Sequence, residues 1–171
     1  MKNTQPGPAS HAAENNVTAA GGLKARVLHC EKLPWQSCET RRFGYIIGAR
    51  TLDKCRAFLN NSIGEYHFDC PLDNMFFGFT GITSEQFKEI VSTGADDEEI
   101  AAWIVKQAKP REQIEIIRWN DDLRYKRISE MSDEIQEYME DYIPQFVPAH
   151  LRHHIDYFFD VYDAEEKRME T

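Results

Sequence analysis

The sequence predicts a mainly α protein: a single compact domain of about six or seven helices, with a little extended structure near residues 65–70. Apolar residues recur at intervals of three and four through most of the chain, which places them on one face of a helix. Capping residues and prolines divide that pattern into segments of helical length. Only residues 65–70 alternate apolar and polar side chains in the manner of a strand.

Size and composition fit one globular domain. The chain has 171 residues, of which 42% are hydrophobic and 29% charged, and a chain of this size folds without a disulfide or a metal. No apolar run approaches the roughly 20 residues of a membrane-spanning helix, and the first residues lack the apolar stretch of a signal peptide. We therefore predict a cytoplasmic protein that does not enter a membrane, with its four cysteines reduced.

The chain divides into a tail and one helical domain. Residues 1–22 are rich in Gly, Ala, Asn and Pro, so we predict a flexible tail there and a single helical domain over residues 23–171. The first clear helix is predicted over residues 51–61 with Thr51 as its cap, and Pro144 is predicted to end a later helix. Further helix starts are predicted at Thr83 or Ser84, at Asp96 with Glu99 in a capping box, at Pro110, at Ser132 and at Pro148.

Charge is distributed unevenly along the chain, whose net charge is −9. Residues 1–56 carry nine Lys/Arg and four Asp/Glu, whereas residues 57–171 carry eleven and twenty-five. The acidic bulk repels nucleic acid, so we predict no nucleic-acid partner. The positive segment is suited either to attracting a small anion or to docking on the acidic remainder, and both interpretations stay open.

Cationic side chains gather in residues 41–73, around the start of the first predicted helix. Arg41 and Arg42 precede that helix in the sequence, and a helix N-terminus flanked by arginines suits a carboxylate or phosphate group. We predict a pocket for a small anionic ligand here, the alternative being structural salt bridges with acidic neighbours. The predicted ligand-binding residues are Arg50, Lys54, Arg56, Tyr66 and Asp73.

Reactive side chains are densest in residues 65–73. We predict His67 as a general acid or base, oriented by Asp53 or Asp69. Cys70 is the candidate nucleophile, because a thiol three residues from a histidine and near cations has the groups that activate it. In a strand, however, His67 and Cys70 would face opposite sides, and a buried inert cysteine is the alternative.

Two histidine groups raise the question of a metal. His67, Asp69 and Asp73 resemble the histidine and two carboxylates of a facial triad, and we keep them as an alternative to a site without metal. His150 and His154 are four residues apart, as two zinc ligands on one helix would be, but the polar face of a surface helix explains them as well. No phosphate-binding or dinucleotide motif is present, so the sequence predicts no particular cofactor.

Two short motifs are distinctive, namely Asp-Lys-x-Arg-Ala at residues 53–57 and Gly-Glu-Tyr-His at 64–67. Together with Trp103 and residues 159–163, these motifs make residues 40–168 resemble a bacterial family of unknown function. The resemblance implies a small helical bacterial domain. It implies no activity, cofactor or partner.

Two functions of different classes follow from these observations. The first is a small-molecule-binding domain or enzyme whose pocket for an anionic ligand is built from residues 41–73. The alternative is a non-enzymatic protein-interaction module, or one that self-associates into a homo-oligomer, through its acidic C-terminal helices. Residues 129–171 carry three basic and twelve acidic side chains, which would suit a basic partner.

Overall fold

The structure is a computed structural model that describes residues 43–166. The predicted tail, Arg41, Arg42, Cys30 and Cys38 lie outside the described residues. The mainly α fold in a single compact domain is confirmed, with seven α-helices and no strand in the described part. They are α1 (Gly48–Leu59), α2 (Pro71–Thr80), α3 (Ser84–Ser92), α4 (Asp97–Gln107), α5 (Gln113–Arg124), α6 (Asp133–Phe146) and α7 (Phe158–Glu165), with short 3₁₀ helices at Ile128–Glu130 and Arg152–His154.

Helix α1 is the central helix, and it begins earlier than the sequence predicted. It starts at Gly48 rather than after Thr51, and every residue from 48 to 57 is buried. An added Cβ at Gly48 would stand 3.3 Å from the Phe43 ring and 3.6 Å from the Phe76 ring, so only glycine fits here without adjustment. Glycine weakens a helix when only local preference is considered, which explains why the first turn, beginning at Gly48, was missed.

The stretch between α1 and α2 forms turns rather than the predicted extended segment. Gly64 and Asp69 both have positive φ, 65° and 66°, and bend the chain at each end of the stretch. Pro71 ends this stretch as the first residue of α2, because its fixed φ suits that position and its missing N–H would have no helical partner there.

Local capping signals gave the most accurate boundaries. The predicted capping box of Asp96 with Glu99 is present at the start of α4. Thr83, predicted with Ser84 as a possible start, caps α3 and also forms a capping box with Gln86. Ser132 precedes α6 as predicted but makes no side-chain capping bond.

Proline was a poorer guide to the later helices. Helix α5 starts at Gln113 rather than Pro110, and α6 continues past Pro144 to Phe146. The last helix begins at Phe158 rather than at Pro148. His150 therefore lies in a turn and His154 in a 3₁₀ helix, so the two do not share the face of one α-helix.

The core gathers aliphatic and aromatic side chains from all seven of these α-helices. Phe76, Phe87 and Phe159 are among its largest fully buried members, and the rings of Phe76 and Phe87 meet edge to face at 6.0 Å. None of the helices within residues 43–166 is long and apolar enough to cross a membrane.

Candidate functional site

Helix α1 carries three buried cations, and each of them pairs with a different carboxylate. Arg50 binds Glu166, and Lys54 Nζ lies 2.8 Å from Asp73 Oδ1. Arg56 lies 2.7 Å from Asp97 Oδ1 and also donates to the carbonyl of Ala95 at 3.3 Å. The prediction that these cations converge on one open anion pocket is therefore wrong. A buried charge requires a partner, and each of the three cations is paired with its own carboxylate.

Lys54 and Cys70 are in direct contact. The Lys54 ammonium donates to Cys70 Sγ at 3.0 Å while it also pairs with Asp73. Lys54 is only 2% exposed, whereas Cys70 is partly exposed. The sulfur thus lies against a fixed positive charge in a residue that is only partly buried.

Asp73 fixes that ammonium in place. It is fully buried in the first turn of α2. Its Oδ1 accepts from the Thr51 hydroxyl at 2.9 Å, and its Oδ2 accepts from the Asp69 backbone N–H at 3.0 Å. With the ammonium as a third donor, the carboxylate cannot rotate without losing a hydrogen bond, so Asp73 is a positioning residue rather than a surface ligand.

Cys70 stands immediately before helix α2. Its backbone is extended, with φ −77° and ψ 170°, and its side chain makes no capping hydrogen bond. Pro71 follows at the first helical position, and the Cys70 carbonyl accepts from the Asn74 N–H at 3.0 Å. The helix N-terminus places a partial positive charge beside the sulfur, on top of the Lys54 charge.

The other predicted catalytic residues lie apart from this contact. His67 is exposed, and Asp53 is largely buried within α1. The Asp69 carboxylate is exposed and accepts from the Ser84 hydroxyl at 2.9 Å. His67, Asp69 and Asp73 do not form a metal site, since the described residues hold no group of three potential ligands arranged to bind one.

A second polar group joins Tyr66 to α6 and α7, and apart from Tyr66 it was not predicted from the sequence. The Tyr142 hydroxyl donates to Glu165 at 2.7 Å, and the Tyr66 hydroxyl approaches the same carboxylate at 3.5 Å. Tyr138 packs against Tyr142 with ring centroids 5.3 Å apart. We call Tyr66, Tyr138, Tyr142 and Glu165 the tyrosine cluster.

The tyrosine cluster has perturbed acidities. Burial, followed by the negative charges of Glu165 and Glu166, raises the pKa of Tyr66 to about 12. Burial also raises the pKa of Glu165 and of Tyr142. Several shifted groups at a partly exposed place are typical of functional sites, although structural networks produce them too.

The pKa of Tyr138 is also raised. Burial is the largest cause, and electrostatic interaction with Cys70 and Glu165 raises it further. Tyr138 and Tyr142 are four residues apart on α6, a spacing that is typical of a packing face. Their partner Glu165 is remote in sequence, and only the terminal motif near residues 159–163 hinted at it.

Comparison with known proteins identifies a family but no activity. A family model described as a domain of unknown function (DUF5069) matches residues 34–168. No curated protein matches the sequence. The matched range contains α1 to α7 and every residue of the Lys54–Cys70 contact and the tyrosine cluster.

Proposed function

Because the chain belongs to the DUF5069 family, which brings no activity with it, we propose a function from its geometry: a thiol-dependent enzyme that acts on a small molecule through a covalent step. Cys70 is the nucleophile in this proposal. Lys54 stabilises negative charge on its sulfur, and Asp73 holds Lys54 in place. This is the nucleophile, activating group and orienting group that covalent catalysis uses in unrelated folds.

The observation that carries the proposal is the 3.0 Å contact between Lys54 Nζ and Cys70 Sγ. A thiolate is the nucleophilic form of cysteine, and a nearby cation and a helix N-terminus both favour it. Lys54 is paired with Asp73 at 2.8 Å, and in this proposal it acts as a cation rather than as a base. A purely structural lysine would need only the carboxylate, and the additional sulfur contact at a partly exposed thiol favours chemistry.

The reaction class we propose is acyl transfer from an ester, thioester or amide. The Cys70 sulfur attacks the carbonyl carbon, a sulfur–carbon bond forms, and the bond to the leaving group breaks. The departing alcohol, thiol or amine takes the proton that the thiol gave up, and water then hydrolyses the thioester. Backbone N–H groups of the first turn of α2 suit the oxyanion that forms in each step.

The proposal is tested with p-nitrophenyl acetate on the purified protein. We expect a rapid burst of nitrophenolate and an acetyl group on the peptide that contains Cys70, both absent in Cys70→Ser. In the double variant Lys54→Met/Asp73→Leu, which replaces the buried pair with apolar side chains, acylation slows about tenfold, the worth of a hydrogen bond to a charged group.

The matched control is Arg56→Met. It removes another buried cation of α1 whose partners, Asp97 and Ala95, do not touch Cys70. Acylation in this variant should match the wild type once folding is verified by circular dichroism. Equal acylation in the Lys54→Met/Asp73→Leu variant and the wild type would overturn the role of Lys54, and a Cys70 that is never acylated would overturn the proposal.

A further inference from the structure

Lys54 and Cys70 lie close enough for their side chains to react with each other. The Lys54 nitrogen is 3.0 Å from the Cys70 sulfur, in a contact that the acyl transfer proposed above uses only for its charge. Lys54 is buried, so its amine stays beside the sulfur instead of moving through solvent as a surface lysine does. A group held this near its reaction partner has a high effective concentration, because the reaction becomes intramolecular.

Asp73 supplies the base that such a reaction needs. An ammonium has no lone pair, so it becomes a nucleophile only after it gives up a proton. The Asp73 carboxylate lies 2.8 Å from the ammonium and is fully buried. Transfer of one proton from Lys54 to Asp73 turns a buried ion pair into two neutral groups. The donors Thr51 and the Asp69 backbone N–H hold the carboxyl group in position.

Cys70 is also the thiol that an oxidant can reach. It is partly exposed, whereas Cys55 is completely buried, although Cys55 directly follows Lys54 in the sequence. Adjacent residues of a helix do not face each other, which is consistent with the contact of Lys54 with Cys70 at the start of α2. A thiolate beside a cation, open to small molecules, is the form of cysteine that peroxides oxidise.

We propose that Cys70 and Lys54 form a reversible covalent bond, a sulfenamide between Sγ and Nζ, when the protein meets hydrogen peroxide. This modification goes beyond the acyl transfer proposed above and does not rest on it, because the two share only the Lys54–Cys70 contact. The bond consumes the thiol and the cation of the site together, and a thiol reductant restores both.

The reaction has two steps and uses one peroxide. In the first step the Cys70 thiolate attacks a peroxide oxygen, the O–O bond breaks, and a sulfenic acid and hydroxide form, so the sulfur loses two electrons to the peroxide. In the second step the Lys54 amine, which has given one proton to Asp73, attacks the sulfur. The S–N bond forms and the S–O bond breaks, and the departing hydroxide takes a further proton from the nitrogen and leaves as water.

The test is peptide mapping of the purified protein after treatment with hydrogen peroxide. Remaining thiols are blocked with N-ethylmaleimide, and trypsin, which also cleaves after Arg56, separates Lys54 from Cys70 unless a bond joins them. We expect loss of cleavage after Lys54 and a linked pair of peptides, lighter by two hydrogen atoms than the separate peptides. Dithiothreitol should release the pair. Cys70 found only as sulfinic or sulfonic acid, with normal cleavage after Lys54, would overturn the proposal.

Cys55→Ala is the matched control, because it removes the neighbouring thiol and with it any disulfide between Cys55 and Cys70. Once circular dichroism shows that it is folded, it should form the linked pair as the wild type does. Lys54→Met/Asp73→Leu has no amine, so its Cys70 should pass on to sulfinic acid. In urea the contact is lost, and the wild type should behave like that variant. A linked pair that is absent from Cys55→Ala, or equally abundant in urea, would contradict the proposal.

Acylation by p-nitrophenyl acetate separates the failure of this proposal from that of the proposed function. Peroxide should suppress the burst of nitrophenolate, and dithiothreitol should restore it. A linked pair in a protein whose Cys70 is never acylated would overturn the acyl transfer alone. Acylation of Cys70 in a protein that never forms the linked pair would overturn the sulfenamide alone.

Discussion

The two thiols near Asp73 have opposite environments. Cys55 is completely buried in α1, where burial and then the Asp73 charge raise its pKa to about 12. Cys70 is partly exposed, and the Lys54 ammonium stands against its sulfur and pairs with the same Asp73. One carboxylate thus opposes the thiolate of Cys55 directly and supports negative charge at Cys70 through a lysine. The neighbouring lysine and the access to solvent therefore decide which of the two cysteines can react.

The largest expected effect comes from replacing Asp73, the carboxylate that lies near both thiols. Asp73→Leu leaves the buried Lys54 ammonium without a counter-charge, and we expect the free energy of unfolding to fall by about 3–5 kcal/mol. Adding Lys54→Met should recover most of that loss, because the charge is removed as well. Urea denaturation followed by circular dichroism measures the free energy of unfolding of both variants. An Asp73→Leu variant as stable as the wild type would contradict the pairing of Lys54 with Asp73.

Selective alkylation compares the two thiols directly. In the native protein we expect iodoacetamide to label Cys55 at least about a hundredfold more slowly than Cys70, because a fully buried thiol reacts only when the structure opens. Timed labelling, acid quenching and peptide mapping give both rates. In urea the two rates should become similar, which serves as the control, and comparable native rates would remove the distinction.

Alkaline pH should lower the free energy of unfolding because the Cys55 thiol is buried. A thiol whose folded pKa is raised contributes stability below its ordinary value of 9.0, and this contribution is lost as pH rises from there towards about 12. Above pH 9, the wild type should lose up to about 1.4 kcal/mol per pH unit more than Cys55→Ala does. Denaturation at half-unit steps between pH 8 and 11 tests this, and parallel curves would show that Cys55 does not titrate differently in the two states.

The smallest effect is expected at the histidine that the sequence favoured. His67 is exposed, so His67→Ala should change the free energy of unfolding by no more than about 0.5 kcal/mol. It should also leave the labelling rate of Cys70 unchanged at every pH between 6 and 9. A severalfold drop in that rate would return His67 to the site as its acid or base.

Local signals were readable from the sequence, and long-range pairings were not. The capping box of Asp96 with Glu99 depends on residues three apart and was predicted correctly, and the start of α3 was predicted to within one residue at Thr83 or Ser84. The site we propose lies in the segment that the sequence singled out, and it uses Lys54, Cys70 and Asp73 from among those candidates. The sequence did not reveal the residues that the candidates contact, since the tyrosine cluster joins Tyr66 to a carboxylate 99 positions later.

Buried charge was the second obstacle to prediction. Arg50, Lys54 and Arg56 had the composition of an anion-binding surface, but α1 is the central helix and its cations are buried. Sequence periodicity cannot distinguish a cation that waits for a ligand from one that a distant carboxylate already satisfies. The sign of the predicted ligand depended on that distinction.

The ion pair between Arg50 and Glu166 also sets an order of events during synthesis. Arg50 lies in the first turn of the central helix, and Glu166 directly follows α7, the last described helix. Until that helix has left the ribosome, neither Arg50 nor Tyr66 has the carboxylate that it contacts in the folded protein. A nascent chain stalled before residue 158 would therefore hold the Arg50 guanidinium without its counter-charge, so the central helix acquires its last ion pair only after α7 has been made.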